Sequence, residues 1–252
     1  MSTPHWFDQG SLVLASNNKG KVAEFEKLFE QLKLPVEIIP QGHLNIPDAI
    51  EDGLSFIENA IIKARHASKI SGKPAMADDS GICVPVLGGA PGIYSARYAG
   101  EHGDDAANNA KLLNDLLPFR KNGEAIEGMF VCVLALVTHA KDPLPQIFQG
   151  IWHGEILEAP RGENGFGYDP LFWLPELQVS SAELSKEEKI RLVIVDKRCS
   201  YLERACRSRL ITGPNYTALK QIKLCIGEPY FSKMKSKQKS FVRLMALPCA
   251  TV

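Results

Sequence analysis

Short apolar runs alternate along this chain with stretches whose apolar residues fall three and four apart, the pattern of strands alternating with helices. Residues 11–15, Ser-Leu-Val-Leu-Ala, form a buried-strand run, and the polar loop Ser16-Asn17-Asn18-Lys19-Gly20 follows it. From Lys21 onward Val22, Phe25, Leu28, Phe29 and Leu32 fall on one helical face, with Glu24, Glu26 and Lys27 on the other. Residues 36–39 read as a second strand. Ser55 and Glu58 have the spacing of a capping box, opening a helix that carries Ile61, Ile62, Ala64 and Ala67 and stops at Gly72. Residues 74–77 predict a short strand ending at Asp78-Asp79-Ser80-Gly81, and residues 108–117 a third helix. Residues 129–138 and 146–157 are two long strands around a loop holding Asp142, Pro143 and Pro145, the pattern of an antiparallel pair. Strand–helix alternation followed by paired strands predicts an α/β protein with a mixed sheet.

Composition narrows the class. The 252 residues are 45% hydrophobic and 23% charged, which excludes wholesale disorder. No apolar run approaches the roughly 18–20 residues of a membrane span. The first residues carry neither the basic nor the apolar region of a secretory signal, so a cytoplasmic protein with free thiols is expected.

Charge changes the picture further. The 29 Lys+Arg balance 29 Asp+Glu, but the zero is a sum of unlike parts. Cutting after Lys189 leaves 16 basic against 26 acidic residues before it and 13 against 3 after it, a body of net −10 and a tail of net +10. Charge alone would make that tail an arm for nucleic acid or an anionic surface. Cys199, Cys206, Cys225 and Cys249 lie in it with no C-x-x-C pair and no His beyond Lys189, so no zinc site is expected there.

Three segments carry candidate chemistry. Ser16-Asn17-Asn18-Lys19-Gly20-Lys21 sits between a strand and a helix N-terminus, where backbone N–H groups and two lysines suit a polyphosphate; it lacks Walker A spacing, and a plain βα turn is the other reading. Asp78-Asp79 crowds two carboxylates, which a cation such as Mg²⁺ or a proton would resolve; an Asx-turn is the alternative. Gly162-Glu163-Asn164-Gly165-Phe166-Gly167-Tyr168-Asp169-Pro170 lets backbone and aromatic rings approach a planar ligand, or else forms a glycine-rich hairpin over core aromatics. Glu51-Asp52 supplies a further carboxylate pair.

Taken in order, these segments resemble the inosine triphosphate pyrophosphatase family. The motifs are Ser16 through Lys21, Ser55-Phe-Ile-Glu-Asn-Ala60 with Lys63-Ala-Arg65, Ala77-Asp-Asp-Ser-Gly81, Leu87-Gly-Gly-Ala-Pro-Gly92 with Tyr94-Ser-Ala-Arg97, and Ala159-Pro-Arg-Gly162 with Gly165-Phe-Gly-Tyr-Asp-Pro170. The resemblance implies an elongated, two-lobed α/β fold around a mixed central sheet with a substrate cleft between lobes. It further implies a homodimer and Mg²⁺-dependent cleavage of ITP, dITP or XTP to the monophosphate and pyrophosphate. By matching positions, Asp79 is the general base and a metal carboxylate and Glu51 a further metal ligand. Ser16, Asn17, Asn18, Lys19, Gly20, Lys21 and Lys189 bind phosphates, Ser80 belongs to the substrate site, and Phe166, Gly167, Tyr168 and Asp169 line the purine pocket. A purine nucleoside triphosphate is the expected partner, with neither membrane nor nucleic acid.

The pattern breaks after Lys189, dividing the chain into a pyrophosphatase domain, 1–189, and a non-homologous basic tail, 190–252. The family carries Ile-Ser-His-Arg-Gly-Gln-Ala there, its His-Arg pair contacting the base; this chain reads Ile190-Arg-Leu-Val-Ile-Val-Asp-Lys-Arg-Cys199. Those residues can be encoded ATA AGA TTA GTC ATC GTG GAC AAG CGA TGC, and one A placed in front re-reads the string as Asn-Lys-Ile-Ser-His-Arg-Gly-Gln-Ala. Out-of-frame translation of the tail is therefore expected, with weaker ITP and XTP turnover and reduced discrimination against ATP. A nucleotide-binding protein without turnover, and a nucleic-acid binder acting through the tail, are the alternatives.

Overall fold

The β1 strand (Ser11–Leu14) is fully buried and pairs in parallel with β2 (Glu37–Pro40) on one side and β3 (Ala75–Cys83) on the other. In this computed structural model, residues 10–31, 36–120, 124–185 and 188 are described. They fall within one compact unit, Met1–Glu203; a second unit, Arg204–Val252, lies outside the described residues, as does the whole expected tail.

Helix α1 (Lys19–Gln31) connects β1 to β2, and α2 (Phe56–Ser71) connects β2 to β3. The start of α2 is set by Ser55, whose hydroxyl accepts from Glu58 N–H, while Glu58 Oε2 accepts from Leu54 N–H and Ser55 Oγ. Gly72 ends it, as expected. Helix α3 (Asp105–Leu116) begins at Asp104, whose carboxylate accepts from Ala107 N–H. After it come β4 (Ile126–Val137), β5 (Gln146–Ile156), β6 (Phe172–Leu174) and β7 (Val179–Ser180). The seven strands form one sheet in the order β2-β1-β3-β4-β5-β6-β7, parallel through β3 and antiparallel beyond it. The expected mixed sheet and the β4–β5 pair are both present.

Strand β3 departs from expectation. It runs through Asp78-Asp79-Ser80-Gly81 instead of ending there, with Asp79 opposite Val133 and Ser80 opposite Cys132 of β4. The Asx-turn alternative is thereby excluded. Two adjacent carboxylates persist inside a buried strand because each finds a cation, and the pleat decides which one.

Alternate β3 residues feed two separate cores. Ala75 and Ala77 join Val13, Val131, Val133 and Ala135 beneath Ala60, Ala64 and Ala67 of α2. Ile82, on the other face, joins Val84, Phe172 and Tyr168 against Leu112 and Leu116 of α3. Full burial of each such leucine contributes about 1.5–3 kcal/mol. Among the described residues no helix is long and apolar enough to cross a membrane, and Cys83 and Cys132 are thiols outside any disulfide.

Candidate active site

Because side chains alternate along a strand, Asp79 points to the α2 side of β3 while Asp78 and Ser80 point to the opposite side. On the first side Lys63, from the middle of α2, donates to Asp79 Oδ1 at 2.9 Å and lies 3.3 Å from Glu51 Oε1. One ammonium thus joins the two carboxylates expected to serve together. Asn59, one helical turn before Lys63 and fully buried, accepts from Gly53 N–H at 2.9 Å and so ties the Glu51 loop to α2. The approach is close: a Cβ on Gly53 would stand 2.7 Å from Asn59 Oδ1.

Asp79 Oδ2 and Asn59 Nδ2 are buried here without a hydrogen bond of ordinary length. Burial raises the Asp79 pKa above the usual carboxylate value; Lys63 opposes this, Glu51 adds to it, and the nearby Asn59 amide again favours the charged form. An orphaned carboxylate oxygen in a dry site is completed by a cation or a polarised water.

On the opposite side Lys21, in the first turn of α1, lies 2.5 Å from Asp78 Oδ2 and donates to Ser80 Oγ at 3.3 Å. Burial works against the Lys21 ammonium, but Asp78 outweighs it and holds the pKa above the ordinary lysine value. The loop before it is already self-capped. Asn18 Oδ1 accepts from Gly20 N–H at 2.9 Å and Lys21 N–H at 3.1 Å, and Ser16 Oγ accepts from Asn18 N–H. The amides expected to be open to phosphate are therefore engaged, because a short Asn side chain at a helix start satisfies them locally. Asn17 donates to Asp48 Oδ1, anchoring the loop to the segment after β2.

The third segment is tied to β3 through Ser95. Tyr168 Oη donates to the Ser95 carbonyl at 2.9 Å, and Ser95 Oγ accepts from Ile82 N–H at 2.9 Å. Tyr168 and Asp169 are 4% and 2% exposed. Asp169 accepts from Phe166 N–H and from Ser181 Oγ, so these two residues brace the loop from within instead of lining a surface. Of the two aromatic residues here Phe166 is the exposed one, at 57% of the residue. The Lys19 side chain and the whole of Lys189 lie outside the described residues.

Sequence reasoning did not place Lys63 or Asn59 in the site. Their signal was present: both fall beside the Ala60, Ala64 and Ala67 stripe of an amphipathic helix, where polar residues abut the buried face. Among the described residues no group of three or more His, Cys, Asp or Glu converges on one point. Asp79 and Glu51 nevertheless fit Mg²⁺, which is commonly bound by one or two carboxylates with substrate phosphates and water completing its shell. The orphaned Asp79 Oδ2 is the atom in this site that calls for one.

The sequence profile of the Ham1 family matches residues 12–199. A dITP/XTP pyrophosphatase from Acinetobacter baumannii (strain ACICU) is 98% identical over 192 residues, covering 76% of this chain and 92% of that one. A dITP/XTP pyrophosphatase from Acinetobacter baylyi is 81% identical over 192 residues, covering 76% of this chain and 91% of its own. A solved HAM1 protein from Coxiella burnetii superposes with a TM-score of 0.72 at 42% identity, covering 79% of this chain and 98% of that one.

Proposed function

The chain belongs to the Ham1 family, and from that premise we propose that it hydrolyses dITP, ITP and XTP to the monophosphate and pyrophosphate. The observation that carries this reading is the Lys63 bridge between Asp79 and Glu51, with Asp79 Oδ2 buried beside it without a hydrogen bond of ordinary length.

Asp79 is the general base. Burial raises its pKa above the usual carboxylate value, which makes it the better proton acceptor, and Lys63 orients it through Oδ1. The water loses its proton to Asp79 as its oxygen attacks phosphorus, the α–β phosphoanhydride breaks, and pyrophosphate leaves. Asp79 and Glu51 would hold Mg²⁺, which would neutralise phosphate charge and polarise the bond that breaks. Lys63 keeps the two carboxylates from repelling each other and orients Asp79. Lys21, poised between Asp78 and Ser80, supplies positive charge to the phosphates at the end of the Ser16–Lys21 loop. Phe166 offers its exposed ring to the purine.

The test is release of pyrophosphate from XTP and dITP by the full chain, with and without Mg²⁺, beside the Asp79→Asn variant. Turnover that needs Mg²⁺ and is lost in the variant supports the assignment. Inorganic phosphate as the product, or an active variant, overturns it.

Out-of-frame translation of residues 190–252 belongs to the same proposal. Near identity to the A. baumannii protein extends over 192 residues, 76% of this chain, and the family profile ends at residue 199, so family sequence accounts for the body and not for most of the stretch after it. The coding DNA for residues 187–200 decides it: codons that cannot restore Ile-Ser-His-Arg by one inserted base would refute it. A cytoplasmic homodimer completes the reading; sedimentation of the purified chain tests its assembly.

A further inference from the structure

Phe166 combines an exposed ring with a backbone that is held on all sides. Its N–H donates to Asp169 Oδ2 at 2.9 Å and its carbonyl accepts from Asp169 N–H at 3.3 Å. The next peptide is gripped from a different element. Gly167 N–H donates to Asp105 Oδ2 at 2.7 Å, and the Gly167 carbonyl accepts from Asn109 Nδ2 at 2.9 Å. Asp105 and Asn109 stand one turn apart on α3, so both face the loop together. Gly167 has φ +61, a left-handed conformation that a side chain would strain, and the two α3 side chains hold it there.

The grip has a cost. Asn109 Oδ1 is buried and finds no hydrogen-bond partner, so the amide serves Gly167 at the expense of its own acceptor. What the grip secures is an aromatic ring on a pre-ordered support, and a ligand that stacks on such a ring need not order the loop on binding.

We propose that Asp105 and Asn109 are positioning residues for recognition of the purine: they lock the Gly167 peptide so that Phe166 is presented to the base. This rests on the role given to Phe166 above. Tyr168 strengthens it, because its hydroxyl bond to Ser95 fixes the far side of the same turn to the strand that carries Asp79. The α3 clamp therefore sets where the base sits relative to the phosphate chemistry, without touching the substrate itself.

The experiment measures KM and kcat for XTP, equilibrium binding of IMP and the Tm, using the full chain. The variants are Asp105→Ala, Asn109→Ala, Asp105→Asn and Phe166→Ala, with each alanine change at 105 and 109 also combined with Phe166→Ala. The expected result is that Asp105→Ala and Asn109→Ala raise KM and weaken IMP binding by about tenfold while kcat stays within about twofold. Asp105→Asn keeps an acceptor for Gly167 N–H and restores affinity. Both effects vanish once Phe166 is absent. If Phe166→Ala leaves KM and IMP binding unchanged, the base-stacking reading fails and this proposal with it. If Phe166→Ala weakens binding but the α3 variants do not, or act additively with it, or alter only Tm, the proposal alone is overturned.

Discussion

Asp78 and Asp79 are neighbours in the chain, yet they face opposite sides of β3 and meet different lysines, Asp78 at 2.5 Å from Lys21 and Asp79 at 2.9 Å from Lys63. Each lysine comes from a different helix, so the doubled carboxylate is two devices and not one. The arrangement keeps like charges apart without a proton shared between them, and it lets α1 and α2 be tested separately.

Replacing Lys63 with Met leaves Asp79 and Glu51 without their common cation. The expected loss in kcat for XTP is about a hundredfold or more. Lys63 holds the Asp79 pKa down against burial, so its removal shifts the acid limb of kcat/KM against pH to higher pH. An unmoved limb would show that Asp79 is not the group titrating.

Asp79→Asn separates activity from stability. The folded-state pKa of Asp79 is raised, so its contribution to stability is complete below the unfolded value of 3.8 and is lost as pH rises through the folded value. Above the folded-state pKa the buried, ionised carboxylate is a burden that the amide lacks. The variant is expected to lose about 10²–10⁴ in turnover while its Tm equals or exceeds that of the parent. A lower Tm at such pH would contradict the sign.

Gly81→Ala tests the coupling of β3 to the 3₁₀ turn Gly92–Arg97. A Cβ at position 81 would stand 2.6 Å from the Gly92 carbonyl oxygen and closer still to Ser95 Oγ. Backbone must move to admit it, at a cost of about 1–3 kcal/mol. Urea unfolding reads that loss, and KM for XTP should rise with it, since Ser95 also anchors Tyr168.

Asp142 caps the β4–β5 loop, accepting from Thr138 N–H, Thr138 Oγ and Leu144 N–H. Burial would raise its pKa, but these donors outweigh burial and hold it below the usual carboxylate value. Its stabilisation is present above the unfolded value of 3.8 and is lost as pH falls through the folded value. Asp142→Ala should therefore cost about 1–3 kcal/mol near pH 7, and the gap from the parent should narrow in acid unfolding curves.

Much of the scaffold was legible because it rests on local rules. Apolar spacing marked α1, α2 and the long strands β4 and β5, and Ser55 with Glu58 marked where α2 begins. The short strands β6 and β7 escaped notice, since three and two residues give too little periodicity to read. Strand β3 read as ending early because adjacent aspartates normally signal a turn; lysines distant in sequence made a buried strand tolerable.

By itself, the sequence determined the family, the mixed α/β class and the candidate segments for the chemistry, because order of motifs and periodicity are properties of the chain. Only the tertiary structure decided which groups meet. It put Lys63 between Asp79 and Glu51, turned Tyr168 and Asp169 inward while leaving Phe166 exposed, and closed the Asn18 cap over amides that had looked open. The reason is physical: a strand's pleat and the packing of separate helices choose a partner for each buried charge, and residues that pair across 16 or 57 positions leave no mark in local pattern.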